Sequence, residues 1–312
     1  MTWRILVSAP YLQPVIEQFR PVFEEHGAEI ILPAVHERLS EEELLSLVGE
    51  IDGVVAGDDR FTRKVLEKAT PRLKVISKWG TGIDAFDQQA CRDLGVVIRN
   101  TADAFTAPVA DSVMGYVLAF ARRLPWMDQQ MKAGVWDKIP GRALNESTLG
   151  VIGVGKIGKA IVRRARSFDM RVVGTDLVEM PDEFVKGTGI EMLPIEDLLS
   201  EADFVSVNCD LNPTSQHLIG EGEFKKMKSS AVIINLARGP IIDEPTMISA
   251  LQENEIAGAA LDVYEDEPLP LDSPLRNMDN VLLAPHNSNS SPKAWARVHE
   301  NTIKNLFEVL EG

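Results

Sequence analysis

Three polar residues of the sequence have the side-chain types that carbonyl reduction requires. Arg238, Glu267 and His286 each lie at or just beyond the end of a predicted strand. An arginine holds a carboxylate with its bidentate fork and polarises a neighbouring carbonyl. A histidine titrates near neutrality and can pass a proton, and a carboxylate beside it favours the protonated ring. Together these types suit hydride transfer to a 2-keto acid, although each residue taken singly is more often structural.

A second candidate site is the glycine-rich segment Gly153-Val154-Gly155-Lys156-Ile157-Gly158, which matches G-x-G-x-x-G. A predicted strand over 149–152 precedes it and a helical run over 159–163 follows it, which is the context of a dinucleotide-binding turn. Its three glycines would allow a tight turn, close backbone approach to a pyrophosphate and close helix packing. The pyrophosphate would bind N–H groups at the start of the helix.

The nucleotide prediction extends to Asp176, which ends the next strand eighteen residues after Gly158. A carboxylate there accepts hydrogen bonds from ribose hydroxyls and repels a 2′-phosphate. The alternative is that Asp176 is only a turn residue. The intact context of the motif favours NAD over NADP.

These residues depend on elements that bring strand ends to one edge of a sheet. Short apolar runs alternate with amphipathic stretches in the first hundred residues, and a second such series begins at Thr148. An opening strand is predicted at Met1–Val7. The other predicted strands are 54–56, 75–77, 96–98, 151–152, 171–173, 204–207, 232–234, 259–261 and 281–283.

Helix signals separate these strands. Ser40 precedes three glutamates and predicts a capped helix start. An apolar helix is predicted over 108–123, a linker or arm over 134–145, and an amphipathic helix over 292–311. Strands spaced by helices imply βαβ units and parallel sheets, and 312 residues favour two domains. The predicted class is α/β, with ligands outside the carboxyl ends of the strands.

Composition excludes several classes of protein. The net charge of −15 opposes binding to nucleic-acid phosphates, and no apolar run is long enough for a membrane span. No metal site is expected, because the five histidines form no cluster and the two cysteines lack zinc-ligand spacing. With Cys91 and Cys209 as the sole thiols, a reducing cytoplasm is the default expectation.

The sequence resembles the D-isomer-specific 2-hydroxyacid dehydrogenases, most closely their phosphoglycerate dehydrogenase branch. The resemblance covers nearly the whole chain. It rests on these segments: Ser77–Asp84, Gly153–Gly158, Asn235–Glu244, Ala259–Tyr264, Glu267-Pro268 and Pro285-His286.

The resemblance implies two doubly wound parallel-sheet domains and a homodimer joined through the cofactor domains. A Rossmann-type NAD-binding domain over residues 103–287 would be inserted in a flavodoxin-like substrate domain formed by residues 1–102 and 288–312. No regulatory domain is expected after residue 312.

The resemblance also implies the roles of individual residues. Arg238 would bind the substrate carboxylate and carbonyl, His286 would be the acid and base, and Glu267 would pair with His286. The cofactor would be bound by Thr81, Gly153, Gly155, Lys156, Ile157, Gly158, Asp176, Cys209, Ala237 and Asp262. The substrate would be bound by Lys78, Trp79, Gly80 and Arg238. Lys78 would contact a substrate phosphate, and Arg60 and Arg142 are weaker candidates from nearby loops. The alternative is that Lys78 is a solvated surface lysine, and Asp58 and Asp59 would repel a phosphate unless Arg60 or Lys78 screens them.

The expected function is that of an NAD-dependent oxidoreductase acting on a small D-2-hydroxy acid or 2-keto acid, with 3-phosphoglycerate slightly favoured over a plain acid. A glyoxylate or hydroxypyruvate reductase is one alternative. A dehydrogenase of formate or phosphite is another. A non-catalytic NAD(H)-binding regulator of the same fold is a third, because fold alone does not fix function.

Overall fold

The computed structural model describes residues 2–312 and divides into two compact units. The first unit combines the residues up to Phe105 with Ser291–Gly312, and the second is the continuous stretch Thr106–Ser290. The second unit is therefore inserted into the first. The predicted boundaries, after residues 102 and 287, fall in the same two loops as these divisions.

The first unit is built on a parallel sheet. Its strands are β1 (Trp3–Val7), β2 (Ala28–Ile31), β3 (Gly53–Ala56), β4 (Val75–Lys78) and β5 (Val97–Arg99). Its first helices are α1 (Ile16–Glu25), α2 (Glu41–Leu47), α3 (Arg63–Ala69) and α4 (Gln88–Leu94). The strand order β2-β1-β3-β4-β5 is that of a flavodoxin-like doubly wound sheet. The predicted opening strand is present as β1, and Met1 lies outside the described residues.

Helix α2 has the capped start that the sequence predicts, and in the structure the cap is a capping box. The Ser40 hydroxyl accepts a hydrogen bond from the Glu43 amide, and the Glu43 carboxylate accepts one from the Ser40 amide at 2.8 Å. This reciprocal pair satisfies two backbone donors that the first turn of a helix would otherwise leave unpaired.

The second unit contains a larger parallel sheet. Its strands are β6 (Thr148–Ile152), β7 (Arg171–Thr175), β8 (Glu191–Met192), β9 (Phe204–Val207), β10 (Val232–Asn235), β11 (Gly258–Leu261) and β12 (Val281–Leu283). Its helices are α5 (Thr106–Arg122), α6 (Leu124–Lys132), α7 (Lys156–Ser167), α8 (Asp182–Thr188), α9 (Ile195–Glu201), α10 (Glu221–Phe224) and α11 (Glu244–Gln252).

The strand order of this sheet is β12-β11-β10-β9-β6-β7-β8. It contains the Rossmann order, in which the chain starts at a central strand, winds outward on one side and then crosses to the other. The six strands predicted for this half are all present, so the predicted α/β class is confirmed. The additional strand, β8, has two residues and is too short to leave an apolar pattern.

The predicted apolar helix over 108–123 corresponds to α5, which ends at Arg122. Arg123 adopts a left-handed conformation with φ of 57°, and α6 begins immediately after it. Helix α6 was not predicted, because none of its residues is buried and it carries no apolar stripe facing a core. Exposed, irregular chain follows over most of the predicted arm, 134–145.

Helix α12 (Pro292–Leu310) returns the chain to the first unit and packs against β3 and β4. Its buried face includes Val298, Ile303, Leu306 and Phe307, at helical spacing. The first unit therefore needs residues from both ends of the sequence to complete its core.

Among residues 2–312, no helix is long and apolar enough to cross a membrane. Within the same range, no three His, Cys, Asp or Glu side chains are grouped so that they could hold a metal ion.

Candidate active site and cofactor site

The register of the second sheet brings the ends of neighbouring strands to one level. Asn235, the last residue of β10, is aligned with Val207 of β9 and with Leu261 of β11. Leu261 is aligned in turn with Leu283 of β12. The loops that carry Arg238, Glu267 and His286 therefore leave the sheet side by side at its carboxyl edge, where open α/β sheets bind their ligands.

His286 and Glu267 form a hydrogen-bonded pair at this edge. The distance between His286 Nδ1 and Glu267 Oε2 is 3.0 Å, and each side chain is 22% exposed. The second carboxylate oxygen of Glu267 accepts a hydrogen bond from the Tyr264 amide at 3.0 Å. Glu267 is thus fixed by the backbone on one side and orients the imidazole on the other. A carboxylate on Nδ1 favours the imidazolium, the form that can give a proton from Nε2.

The turn that carries His286 is held by Asp262. His286 has a φ of 50°, in the left-handed region that favours glycine, and its amide donates to the Asp262 carbonyl at 2.8 Å. The two carboxylate oxygens of Asp262 accept from the Asn287 and Ser288 amides, each at 2.7 Å. Asp262 is 0% exposed. Buried charge-assisted hydrogen bonds of this length compensate for the strained backbone at the histidine.

Tyr264 fixes the strand that leads to the same histidine. Its hydroxyl donates to the Ala284 carbonyl at 2.8 Å, two residues before His286. No role was predicted for Tyr264 from the sequence. Its place directly after the largely apolar run Ala259–Val263 could have indicated that it lies at the end of a buried strand, near the site.

Arg238 lies in a loop that is held by the last residue of β10. The Asn235 side-chain amide donates to the Arg238 carbonyl at 2.9 Å, and its oxygen accepts from the Ala237 amide at 3.1 Å. The guanidinium is half-buried and donates to the Ala237 carbonyl at 2.8 Å. A polar residue at the end of an otherwise apolar strand was the sequence signal for this role of Asn235.

The Arg238 loop is pressed against the loop that leads to Glu267. A Cβ atom placed on Gly239 would lie 1.9 Å from the carbonyl carbon and oxygen of Tyr264. The two backbones are therefore in direct contact, and this contact couples the position of Arg238 to that of Glu267.

The glycine-rich turn has the packing expected for a dinucleotide. Gly153 has a φ of 85°, and a Cβ on it would lie 2.6 Å from the Cys209 amide nitrogen. A Cβ on Gly158 would lie 2.2 Å from the Gly153 carbonyl oxygen, so α7 packs tightly against the turn. Gly155 is exposed and has nothing within 4 Å of a Cβ position. The backbone can thus approach a pyrophosphate at Gly155, beside Lys156 and Ile157 in the first turn of α7.

Asp176 joins this turn at the end of β7. One carboxylate oxygen accepts from the Val154 amide at 2.6 Å, and the other accepts from the Val178 amide at 2.9 Å. A carboxylate has about four acceptor positions, so these two bonds still permit bonds to ribose hydroxyls. Its charge lies against the glycine-rich turn.

Two further predicted cofactor residues follow neighbouring strands. Cys209 lies beyond the end of β9 and Ala237 beyond the end of β10, and both are half-buried. Burial raises the pKa of the Cys209 thiol to about 11. The thiol is therefore neutral at physiological pH, and it can line a cofactor site but is not a thiolate nucleophile.

The predicted substrate residues of the first unit lie at the end of β4. Lys78 is 3% exposed, and its ammonium contacts the Asp58 carboxylate at 2.9 Å and donates to the Trp79 carbonyl at 3.2 Å. Arg60 is exposed, and the Asp59 carboxylate is buried. The Lys78 ammonium, which the sequence assigns to a substrate phosphate, is therefore already paired with the Asp58 carboxylate.

Gly80 and Thr81 continue the same loop. Gly80 has a φ of 124°, and its carbonyl accepts from the Thr101 amide at 2.8 Å. The Thr81 hydroxyl donates to the Thr101 carbonyl at 3.2 Å. The loop is thus tied to the chain that follows β5.

The weaker candidate Arg142 lies away from the other predicted site residues of its unit. Its guanidinium contacts the Asp203 carboxylate at 3.2 Å, and Asp203 immediately precedes β9. The same carboxylate accepts from the amide of Thr148, the first residue of β6. Arg142 therefore lies at the amino edge of the second sheet, opposite the edge that carries the candidate site.

A family model described as the NAD-binding domain of D-isomer-specific 2-hydroxyacid dehydrogenases matches residues 114–288. The chain belongs to the D-isomer-specific 2-hydroxyacid dehydrogenase family. The second unit is the NAD-binding domain of this dehydrogenase family, so the predictions of the family and of NAD as cofactor are confirmed.

Curated members of the dehydrogenase family differ in their named substrates. The chain is 37% identical to the D-3-phosphoglycerate dehydrogenase of Methanocaldococcus jannaschii, over 99% of this chain and 58% of that protein. It is also 37% identical to the glyoxylate reductase of Thermofilum pendens, over 88% of this chain and 82% of that protein. The chain thus spans little more than half the length of the phosphoglycerate dehydrogenase that it matches.

A solved structure of the same family shares the fold. It is the D-lactate dehydrogenase of Aquifex aeolicus complexed with NAD and lactic acid, with a TM-score of 0.87 and 25% identity. The alignment covers 97% of this chain and 93% of that one.

Proposed function

We propose that the protein transfers hydride between NAD and C2 of a small D-2-hydroxy acid or 2-keto acid. The observation that carries this proposal is the His286–Glu267 pair, at the sheet edge where the Arg238 loop also emerges. The pair provides a proton donor and acceptor, and Arg238 provides a cation for a carboxylate.

Each residue has a distinct role in this reaction. NAD, when bound, supplies or accepts the hydride. Arg238 binds the substrate carboxylate and draws electron density from the C2 carbonyl. His286 donates a proton to the C2 oxygen during reduction and accepts it during oxidation, so one hydride and one proton convert the carbonyl to the alcohol. Glu267 orients the imidazole and stabilises its charged form.

Asp262 is assigned to the positioning of His286. The resemblance implies that this residue contacts the nicotinamide carboxamide, but its buried carboxylate bonds the two amides that follow the histidine. We propose that these bonds are its main contribution, because they hold the strained turn on which the histidine stands.

Residues of the glycine-rich turn and Asp176 fit NAD. Gly155 leaves room for a pyrophosphate at the start of α7, a helix of 12 residues whose first amides can donate to it. The Asp176 carboxylate would accept from the adenosine ribose and repel the 2′-phosphate of NADP. The proposed cofactor preference is therefore NAD over NADP.

The proposed substrate class is an unphosphorylated acid such as glyoxylate or hydroxypyruvate, bound in part by the Trp79–Gly82 loop. The Lys78 charge is offset by Asp58, and a phosphate near this pair would be repelled by the Asp58 carboxylate. This proposal reverses the slight preference for 3-phosphoglycerate that the sequence alone suggests. The match to a glyoxylate reductase over most of its length supports it.

A panel of substrates tests the proposed function. Initial rates of NADH oxidation would be measured with glyoxylate, hydroxypyruvate and 3-phosphohydroxypyruvate, and repeated with NADPH. We expect kcat/KM to be at least about tenfold higher for the unphosphorylated acids and for NADH, a difference of about 1.4 kcal/mol in each case. A higher kcat/KM for the phosphorylated acid contradicts the substrate class. Absence of turnover in a protein that binds NADH supports a regulator.

We propose that the protein is a homodimer joined through helix α6 and the segment that follows it. Leu124, Met131 and Val135 are exposed apolar side chains in this region, and Trp136 is 85% exposed. A cluster of exposed apolar side chains marks a protein interface. Sedimentation velocity at micromolar concentration is expected to show one species of about twice the 34.4 kDa chain mass. A monomer would contradict this assignment.

A cytoplasmic location is also proposed. Both cysteines are free thiols, and Cys91 is buried. Unpaired cysteines fit a reducing compartment, in which thiols are kept reduced. Fractionation of cells that make the native protein would test this location.

A further inference from the structure

The buried indole of Trp79 packs in an aromatic cluster within the first unit. Trp79 directly follows β4, and its ring contacts four other rings at centroid distances between 5.3 and 5.9 Å. These rings belong to Tyr11, Phe105, Trp295 and His299. Trp295 and His299 both lie on α12. The side chain of Trp79 is therefore a buried anchor of the loop. Its ring is not accessible to a ligand, whereas the backbone of the loop can contact one.

The polar atom of this anchor has a specific partner. Trp79 Nε1 donates a hydrogen bond to His299 Nδ1 at 2.9 Å, and the two residues are 4% and 7% exposed. An indole nitrogen can only donate, so Nδ1 must carry a lone pair and the ring must be neutral. Burial lowers the pKa of His299, which favours this neutral ring. Phe19 of α1 packs on the same imidazole at 5.7 Å.

The indole hydrogen bond holds the start of the loop, whereas the Thr81 hydroxyl and the Thr81 carbonyl, bonded to Thr101 and Asn100, hold its later part. The Trp79 amide donates to the Ala56 carbonyl at 2.8 Å, and the Gly80 carbonyl accepts from Thr101. Gly80 itself has a φ of 124°, and a glycine has few steric limits on its backbone conformation because it lacks a Cβ atom. Because Gly80 is flexible, the loop could sample other conformations if the Trp79 side chain were not held by His299.

We propose that His299 is a positioning residue for substrate binding: by accepting the Trp79 indole hydrogen, it holds the Trp79–Gly82 loop in the conformation that receives the substrate. This inference rests on the proposed function, which assigns that loop to the substrate. His299 is separated from Trp79 by 220 positions in the sequence, and α12 brings it back to the loop. The helix that completes the core of the first unit thus also shapes a binding loop.

The test compares variants that remove the acceptor, the donor or both. His299→Leu removes the acceptor, Trp79→Phe removes the donor but keeps a ring, and His299→Gln retains a side-chain acceptor. We expect His299→Leu and Trp79→Phe each to raise KM for the keto acid about tenfold. We expect kcat and KM for NADH to stay within about twofold, because a loop that must be ordered on binding weakens ground state and transition state alike. His299→Gln is expected to recover most of the loss.

The double variant and a matched control separate positioning from general damage. In His299→Leu/Trp79→Phe, KM is expected to be no higher than in the single variant with the higher KM, because both changes remove the same hydrogen bond. His26→Leu makes the same substitution in the same unit at a histidine that stacks on Phe307 and pairs with Glu311. Its KM is expected to equal that of the wild type. Circular dichroism would establish that each variant is folded.

Two results overturn the proposal in an active enzyme. One is an unchanged KM in His299→Leu and Trp79→Phe. The other is a double variant in which the fold increases in KM of the two single variants multiply, which is the behaviour of independent interactions. If His299→Leu fails to fold, the comparison of His299→Gln with Trp79→Phe carries the test, since only the second lacks the hydrogen bond. A wild-type protein that turns over no keto acid overturns the proposed function itself, and the positioning role falls with it.

Discussion

Replacing His286 by glutamine is expected to lower kcat by roughly 10²–10⁴-fold while NADH binding is retained. Glutamine preserves the polarity and approximate length of the side chain but cannot exchange a proton near neutral pH. The residues assigned to the nucleotide, such as Gly155 and Asp176, are unchanged in this variant. Steady-state rates would give kcat, and titration of NADH fluorescence would give the dissociation constant of the cofactor.

His217→Gln is the matched control for this variant. His217 belongs to the same unit and also contacts a carboxylate, that of Glu265 at 2.9 Å, but it is exposed and has no assigned role. Its replacement is expected to leave kcat within about twofold of the wild type, as is usual for surface changes. If His286→Gln turned over as fast as this control, His286 would not be the acid and base.

Gly239→Ala is expected to destabilise the second unit strongly. The added Cβ would lie 1.9 Å from backbone atoms of Tyr264, and a backbone cannot rotate aside as a side chain can. Overpacking typically costs about 1–3 kcal/mol, and we expect about 3 kcal/mol here because two backbones must separate. The segments that move carry Arg238 and Glu267, so kcat/KM of the folded fraction should also fall. Urea unfolding and rates measured below the melting temperature would report the two effects separately.

Gly222→Ala provides the comparison for this substitution. Gly222 lies within α10, and a Cβ there has nothing within 4 Å. Alanine is favoured over glycine in a helix by about 1 kcal/mol, so the control is expected to be neutral or slightly stabilising. Equal stability of the two variants would show that the Gly239 contact relaxes without cost.

Much of the architecture was predictable because its signals are local. The strands leave short apolar runs, the glycine-rich turn is contiguous, and the cap at Ser40 lies three residues from its partner Glu43. Strand β8 and helix α6 were not predictable, because a strand of two residues and a helix without buried side chains leave no periodic pattern. The strand-end argument placed Arg238, Glu267 and His286 at one edge of the sheet, and the register of β10, β11 and β12 agrees with it.

Side-chain partners that are distant in sequence were the part that could not be predicted. The role of Lys78 depends on the pairing of Ala56 with Lys78 across β3 and β4, which brings Asp58 to the ammonium. The bond between Trp79 and His299 likewise exists only once α12 has packed on the sheet. In a linear sequence, a buried lysine that is paired and an exposed lysine that binds phosphate have the same appearance.

The insertion of one unit into the other has a consequence for the synthesis of the protein. The ribosome makes the whole of Thr106–Ser290 before it makes α12, whose side chains cover β3 and β4. All seven strands of the second sheet are therefore available while the first sheet still lacks the helix that carries Leu306 and Phe307. Domains usually complete folding in the order of their translation. In this chain the order is reversed, and the part that is translated first is the last to close its core.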